Sequence, residues 1–257
     1  MAMSGEIALW RRLLAEFLGS MLLAAIVIGS GIMAQTLSPT DVGLQLLENA
    51  GATALGLFAI ILMFGPVSGA HLNPVVSFVD WAFGGISLRH AFSYLPVQVA
   101  GCVSGAVLAN VMFSQRAISI STHVRATGPH LLSEIVATAG LLLVIFALAR
   151  TGRKAMAPAA VGAYIGAAYF FTSSTSFANP AIAIGRMLSD TFAGIAPSSV
   201  PAFIGAEVVG GIVGFIIIKS LYPGVKTARS NGVVVRHEAA VHQIEHLPTE
   251  PVKDHRV

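Results

Sequence analysis

The sequence predicts an all-α membrane protein with six transmembrane helices, two re-entrant half-helices and an inverted internal repeat. Three observations support this: the composition, the lengths of the apolar segments, and two Asn-Pro pairs set in apolar sequence. Charged residues make up 11% of the 257 residues and apolar residues 55%, and the mean hydropathy is +0.78. Soluble domains carry about 25% charged residues. The composition therefore indicates a chain that crosses the bilayer several times.

Six apolar segments are long enough to cross a bilayer as helices. They cover residues 13–34, 50–66, 91–113, 131–149, 157–173 and 201–222. The first follows Arg11-Arg12 and is longer than the apolar core of a signal peptide, so we expect it to be retained. The predicted organisation is an N-terminal segment 1–12, a first repeat 13–113, a connecting loop 114–130, a second repeat 131–222 and a polar tail 223–257.

Each repeat contains one Asn-Pro pair inside apolar sequence. The two triplets are Asn73-Pro74-Val75 and Asn179-Pro180-Ala181. Asparagine is a favourable N-cap and proline suits the first helical position, so each pair predicts a helix start. The stretches that follow, 73–83 and 179–189, are too short to span and predict half-helices. Helix starts inside a bilayer are tolerated only within protein or beside a wet cavity, so two of them predict a polar path across the membrane.

The two halves match each other at several positions. Ala15-Glu16-Phe17-Leu18 matches Ser133-Glu134-Ile135-Val136, and the segment that starts at Gln98 matches the one that starts at Glu207. Because each half has three spans, the second half enters the membrane from the opposite side, so the repeat is inverted. A carboxylate within a span normally has a partner or faces a cavity. Glu16 and Glu134 are therefore either a proton relay or, as their duplication favours, acceptors that hold the re-entrant loops, a role we also expect for His71.

The distribution of charge predicts that both termini are cytoplasmic. Residues 35–49 contain Asp41 and Glu48 and no Lys or Arg. The basic residues of the N-terminal segment and alternate loops are Arg11, Arg12, Arg89, Arg150, Arg153, Lys154 and Lys219. Arg116, Arg125 and Arg186 are the exceptions, too few to reverse the positive-inside assignment.

The remaining sequence predicts no cofactor, metal site or nucleic-acid partner. The single cysteine, Cys102, excludes a disulfide framework, and no basic patch interleaves with aromatic residues. The polar tail carries His237, His242, His246 and His255. Their loose spacing favours a solvated tail over a metal site. No Ser/His/Asp or Cys/His arrangement suggests an enzyme.

This combination of spans, half-helices, Asn-Pro boxes and paired glutamates resembles the aquaporin, or major intrinsic protein, family over residues 10–222, as a wide-filter, bacterial-type member that is aquaglyceroporin-like or metalloid-permeable. The resemblance implies that Asn73 and Asn179 donate hydrogen bonds to the permeating molecule. It also implies a homotetramer in the cell membrane with one pore per subunit. Val75 departs from the usual alanine, and we expect it to enlarge a side chain beside the central constriction.

The family's outer filter contains an aromatic residue, often a histidine, and an arginine directly after the second box. Ungapped counting from the two asparagines places Thr53, Ala167 and Ser176 at three of its positions, and Ile182 stands where the arginine is expected. Such a filter should be wide and weakly polar. It predicts passage of glycerol, urea, metalloid hydroxides such as arsenous acid, and water. Arg186, one helical turn beyond Ile182, is either a displaced cation in the vestibule or a partner of Asp190.

Two other functions remain open from the sequence. Inverted repeats with broken helices and intramembrane acids also occur in secondary transporters, so Glu16 and Glu134 could couple transport to an ion. A water-selective channel is the other alternative.

Overall fold

The computed structural model describes residues 7–223, and within that range the regular secondary structure is all helical, without strands. The eight α-helices are α1 (Leu9–Leu37), α2 (Val42–Ser68), α3 (Pro74–Ala82), α4 (Leu88–Met112), α5 (Gly128–Arg150), α6 (Ala157–Phe171), α7 (Pro180–Arg186) and α8 (Val200–Leu221). Single 3₁₀ turns at Lys154–Met156 and Pro197–Ser199 precede α6 and α8. The histidines predicted to lie in a solvated tail are outside the described residues.

Five helices are long and apolar enough to cross a membrane. They are α1, α2, α4, α5 and α8, the last together with the 3₁₀ turn that precedes it. The sixth predicted span corresponds to α6, which has only 15 residues, or about 22 Å at 1.5 Å per residue. The two half-helices have 9 and 7 residues, so the second is shorter than the predicted 179–189.

Glycines bring α4 against α1 and α8 against α5. A Cβ atom on Gly101 would overlap the carbonyl oxygen of Phe17, and one on Gly210 would overlap that of Ile135. Small residues allow such close contact between helices in lipid. The same offset recurs in each half, as the repeat predicts.

The aromatic contacts at the end of α3 show that the halves are inverted. Phe83 follows α3 directly, and its ring centroid lies 5.1 Å from that of Phe146 on α5 and 4.5 Å from that of Phe215 on α8. Both partners are near the C-terminal ends of their helices, whereas α4 begins only a few residues after Phe83. Arg12, in the first turn of α1, donates to the Tyr94 hydroxyl of α4 at 2.8 Å. The starts of α1 and α4 therefore share one end of the bundle with the ends of α5 and α8.

The half-helices meet at their N-termini. Asn73 caps α3 by accepting from the Val75 N–H, and Asn179 caps α7 by accepting from the N–H groups of Ala181 and Ile182. The Asn73 side-chain amide donates to the Ala178 carbonyl at 2.6 Å, and that of Asn179 donates to the Leu72 carbonyl at 2.7 Å. Each capping side chain thus also fastens its loop to the other half.

Candidate functional site

A cavity of about 70 Å³ runs between α1, α2, α5 and α6 and the two loops that precede the half-helices. Each of these four helices contributes residues spaced four apart, which lie on one helical face. They are Leu23 and Val27 of α1, Thr53, Leu57 and Ile61 of α2, Leu141 and Ile145 of α5, and Val161, Ile165 and Tyr169 of α6. A water needs roughly 10–15 Å³ by this kind of measure, so the cavity has room for a short file of waters along a largely apolar path.

Asn73 and Asn179 supply the polar groups at the centre of this path. Both side chains are buried and line the cavity. A side-chain amide has two N–H donors, and each asparagine uses one on the opposite loop. The second N–H of each is left for a molecule inside the cavity.

The other members of the two boxes do not line the cavity. Pro74, Val75 and Pro180 face the outer side of the bundle, and Ala181 is fully buried. The expectation that Val75 enlarges a side chain at the constriction is therefore wrong. Val75 points at Gly211 of α8, where a Cβ atom would lie 2.6 Å from its Cγ1, and it is Val76 that faces the path.

Glu16 holds the first re-entrant loop. Its carboxylate accepts from the N–H groups of His71 and Leu72 at 2.9 and 2.7 Å, from Ser68 Oγ at 2.6 Å and from Gln98 Nε2 at 2.8 Å. Leu72 has a φ of 53°, a left-handed conformation that costs roughly 1–2 kcal/mol for a residue with a Cβ. Hydrogen bonds to a charged acceptor, each worth about 1.5–3 kcal/mol, offset that strain.

Two glutamates share the same task in the second half. Glu134 accepts from the N–H groups of Phe177 at 3.0 Å and Ala178 at 2.7 Å. Glu207 of α8 accepts from the Asn179 N–H at 3.0 Å. Sequence reasoning did not assign a role to Glu207, although the internal repeat aligns it with Gln98, which binds Glu16.

None of these glutamates lines the cavity. Glu16 and Glu134 are fully buried and occupied by loop N–H groups. The interpretation of the pair as an ion-coupling relay therefore has no geometric support, and the scaffolding interpretation describes both.

His71 differs from its predicted role. Its backbone N–H is held by Glu16, but its ring lines the cavity. The ring binds Ser77 Oγ through Nδ1 at 3.1 Å, and its Nε2 lies 3.3 Å from Asp80 Oδ2. The first re-entrant loop thus presents the His71 ring to the path, and Ser77 and Asp80 of α3 hold the ring in place.

At the end of the cavity where the family's filter is expected, Thr53, Ser176 and Ile182 line the path as predicted by counting, but Ala167 does not. Ala167 is exposed on the far face of α6, because two positions along a helix rotate a side chain by about 200°. Tyr169 lines the path instead, and its hydroxyl lies 3.1 Å from Thr53 Oγ1. The prediction that Ala167 belongs to the filter is therefore wrong, and an aromatic residue stands there instead.

Arg186 also reaches this end of the cavity. Its guanidinium lies 3.5 Å from the centroid of the Phe177 ring and donates to the Ala193 carbonyl. Arg125 of the connecting loop approaches the same ring at 5.5 Å and donates to Gly194 and Phe192 carbonyls at 2.7 and 2.9 Å.

The alternative partner of Arg186, Asp190, is bound elsewhere. The Thr122 N–H donates to its carboxylate at 2.9 Å, and His123 Nε2 lies 3.8 Å away. This N–H, chiefly, holds the pKa of Asp190 below its usual value. Arg186 thus lies at the end of the cavity and is not the ion-pair partner of Asp190.

Comparison with known proteins decides the family. Residues 3–178 match the family described as "Major intrinsic protein". The chain belongs to this family. It is 44% identical over 216 residues to the aquaglyceroporin AqpS of Rhizobium meliloti, covering 84% of this chain and 92% of that protein. It is 34% identical over 221 residues to the glycerol uptake facilitator protein of Pseudomonas aeruginosa, covering 74% and 77% respectively.

A solved structure shows the same fold. The X-ray structure of the aquaglyceroporin from Plasmodium falciparum superposes with a TM-score of 0.64 over 85% of this chain and 97% of that one, at 21% identity. As a major intrinsic protein, the chain is a passive membrane channel for water and small neutral solutes and not an enzyme.

Proposed function

We propose that this channel passes glycerol, urea and neutral metalloid hydroxides such as arsenous acid alongside water. The observation that supports this is the chemistry of the outer end of the cavity. Thr53, Tyr169 and Ser176 place three hydroxyls there, while Ile182 and Phe177 contribute apolar surface. A small polyol has the same two kinds of surface, hydroxyls and C–H groups, so it can exchange its hydration for these contacts.

Ser176 is the hydroxyl most available to a solute. Its Oγ is buried without a hydrogen-bond partner within residues 7–223, and the residue lines the cavity. A buried polar atom without a partner is costly. A permeating hydroxyl or amide that binds it removes that cost during transit.

The central asparagines and the half-helix N-termini explain how ions are excluded. Two helix N-termini meet at the centre, and each carries about half a positive charge. Asn73 and Asn179 each present one fixed N–H donor to the path. Fixed donors orient the waters and oppose a continuous proton wire, and the positive ends oppose cations. Arg186 adds a full positive charge at the outer end, one turn beyond Ile182.

The assembly we propose is a homotetramer in the cell membrane with both termini in the cytoplasm. The orientation is supported by the end of the bundle that α1 and α4 share with the ends of α5 and α8. Arg12, Arg89, Arg150 and Lys219 all lie in the first or last turns of helices at that end, as the positive-inside rule requires of a cytoplasmic face.

Proteoliposomes and stopped-flow light scattering test the proposed solutes. After an osmotic step with glycerol, urea or arsenous acid, vesicles that contain the channel should shrink and then re-swell, whereas empty vesicles should only shrink. Ile182→Arg restores the family's filter charge and should slow glycerol re-entry more than it slows water, since a guanidinium narrows the outer end. Ile182→Val, which keeps the surface apolar, is the matched control. Rapid shrinkage without any re-entry of the three solutes would leave a water-selective channel and refute the proposal.

A further inference from the structure

A second cavity, of about 480 Å³, opens on the outer face of the bundle behind the two helix starts. We call it the outer crevice; Pro74, Val75, Val99, Val208, Gly211 and Phe215 bound it. It lies between α3, α4, α7 and α8, and all of its lining residues are apolar, proline or glycine. The unusual valine of the first box thus lines the outer crevice and not the path between the asparagines.

The rim of the outer crevice is apolar and exposed. Val208 is 47% exposed and Ile212 is 55% exposed, both on the membrane-spanning helix α8. Apolar cavities without polar partners do not hold ordered water. Because this rim lies along a helix long and apolar enough to cross a membrane, it is open to the acyl chains of the bilayer.

One end of the outer crevice is basic. Phe215 forms that end, and the Lys219 ammonium lies 6.0 Å from its ring centroid. Phe83 contacts Phe215, and the Arg150 guanidinium lies 4.5 Å from the Phe83 ring centroid. Lys219 is exposed and stands one helical turn beyond Phe215, where the last turn of α8 ends. Basic side chains at a membrane surface attract anionic headgroups.

We propose that the outer crevice binds one acyl chain of an anionic phospholipid whose headgroup lies on Lys219. The apolar lining suits the chain, and the cations at the Phe215 end suit a phosphate with a further negative charge. Pro74 and Pro180, which immediately follow the two central asparagines, form the inner side of the crevice. A bound chain therefore packs against the backs of both half-helices.

Native mass spectrometry of the delipidated, purified channel tests this proposal, with phosphatidylglycerol and phosphatidylcholine of identical chains as probes. The unmodified channel should retain phosphatidylglycerol more tightly than phosphatidylcholine. Lys219→Gln should reduce that preference by about fivefold, the factor expected for one basic residue near an anionic headgroup.

A matched pair on α8 separates the outer crevice from the general lipid-facing surface. Val208 lines the crevice and its neighbour Val209 does not, yet their exposed fractions are 47% and 45%. Val208→Phe should abolish the preferential binding, and Val209→Phe should leave it unchanged. Ile212→Phe, at the same rim, is a second crevice variant in case Val208→Phe does not fold.

Three results would overturn the proposal. The first is equal retention of both lipids by the unmodified channel. The second is equal loss of phosphatidylglycerol in Val208→Phe and Val209→Phe. The third is a change of oligomer size on gel filtration in Val208→Phe alone, which would show that a second copy of the chain covers the crevice.

Discussion

The same isosteric substitution at two neighbouring buried glutamates should have opposite consequences. In Glu134, each carboxylate oxygen accepts a backbone N–H, from Phe177 and from Ala178. An amide at this position turns one acceptor into a donor that faces an N–H group. In Glu207, Oε1 accepts from Asn179, while Oε2 is buried without a hydrogen-bond partner among residues 7–223. An amide at Glu207 keeps the one acceptor that is used.

The expected magnitudes follow from these contacts. Glu134→Gln loses one hydrogen bond and leaves a buried donor unsatisfied, for which the cost is about 1–3 kcal/mol. For a chain of this size each kcal/mol corresponds to roughly 2–4 °C in Tm, so Tm should fall by about 2–12 °C. Glu207→Gln removes a buried carboxylate and should leave Tm unchanged or raise it.

Thermal unfolding in detergent, followed by intrinsic fluorescence, measures both variants, and glycerol flux in proteoliposomes reports whether the second loop still presents Asn179. Glu207→Leu is the control, because it removes the acceptor for the Asn179 N–H and should lower Tm. Equal losses of Tm in the two glutamine variants, or a larger loss in Glu207→Gln, would refute the assignment of acceptors.

Three further tests concern which side chains line the path. Val75→Ala should leave water flux unchanged in proteoliposomes while Val76→Ala raises it, because only Val76 faces the cavity; a large effect of Val75→Ala alone would contradict this. Arg186→Ala should increase the uptake of larger neutral polyols relative to glycerol, because it removes the guanidinium that lies on Phe177. Arg186→Lys should have a smaller effect, because lysine keeps the charge. Unchanged size selectivity in both variants would exclude a filter role for Arg186. Tyr169→Phe should slow glycerol by about fivefold, the factor for one hydrogen bond of ~1 kcal/mol, and slow water less, because it removes the hydroxyl beside Thr53; equal slowing of both would indicate a general collapse of the path.

Local sequence signals predicted where the two half-helices begin and which glutamate accepts hydrogen bonds from the first re-entrant loop. The capping chemistry of Asn73-Pro74 and Asn179-Pro180 acts within a few residues, so its outcome does not depend on distant packing. The loop-holding role of Glu16 was also predicted, because a carboxylate within a span normally has a partner and its duplication in the second half favours a scaffold over a proton relay.

The direction of individual side chains could not be obtained in the same way. Ala167 and Tyr169 are two residues apart on α6, and an ungapped count from Asn179 selects the wrong one. An error of two residues rotates the prediction by about 200°, to the opposite face of the helix. The hydroxyl that pairs with Thr53 was missed for this reason.

The sequence by itself determined that this chain spans a bilayer, that it repeats itself in reverse, and that two short helices begin inside it. Those features depend on composition, segment length and capping, which are local properties. Only the tertiary structure decided that Val75 faces α8 and the outer crevice, that Tyr169 faces the path, and that Glu207 holds the loop before α7. Each of these depends on the rotation of one helix against its neighbours, and that rotation is set by packing across residues far apart in the chain.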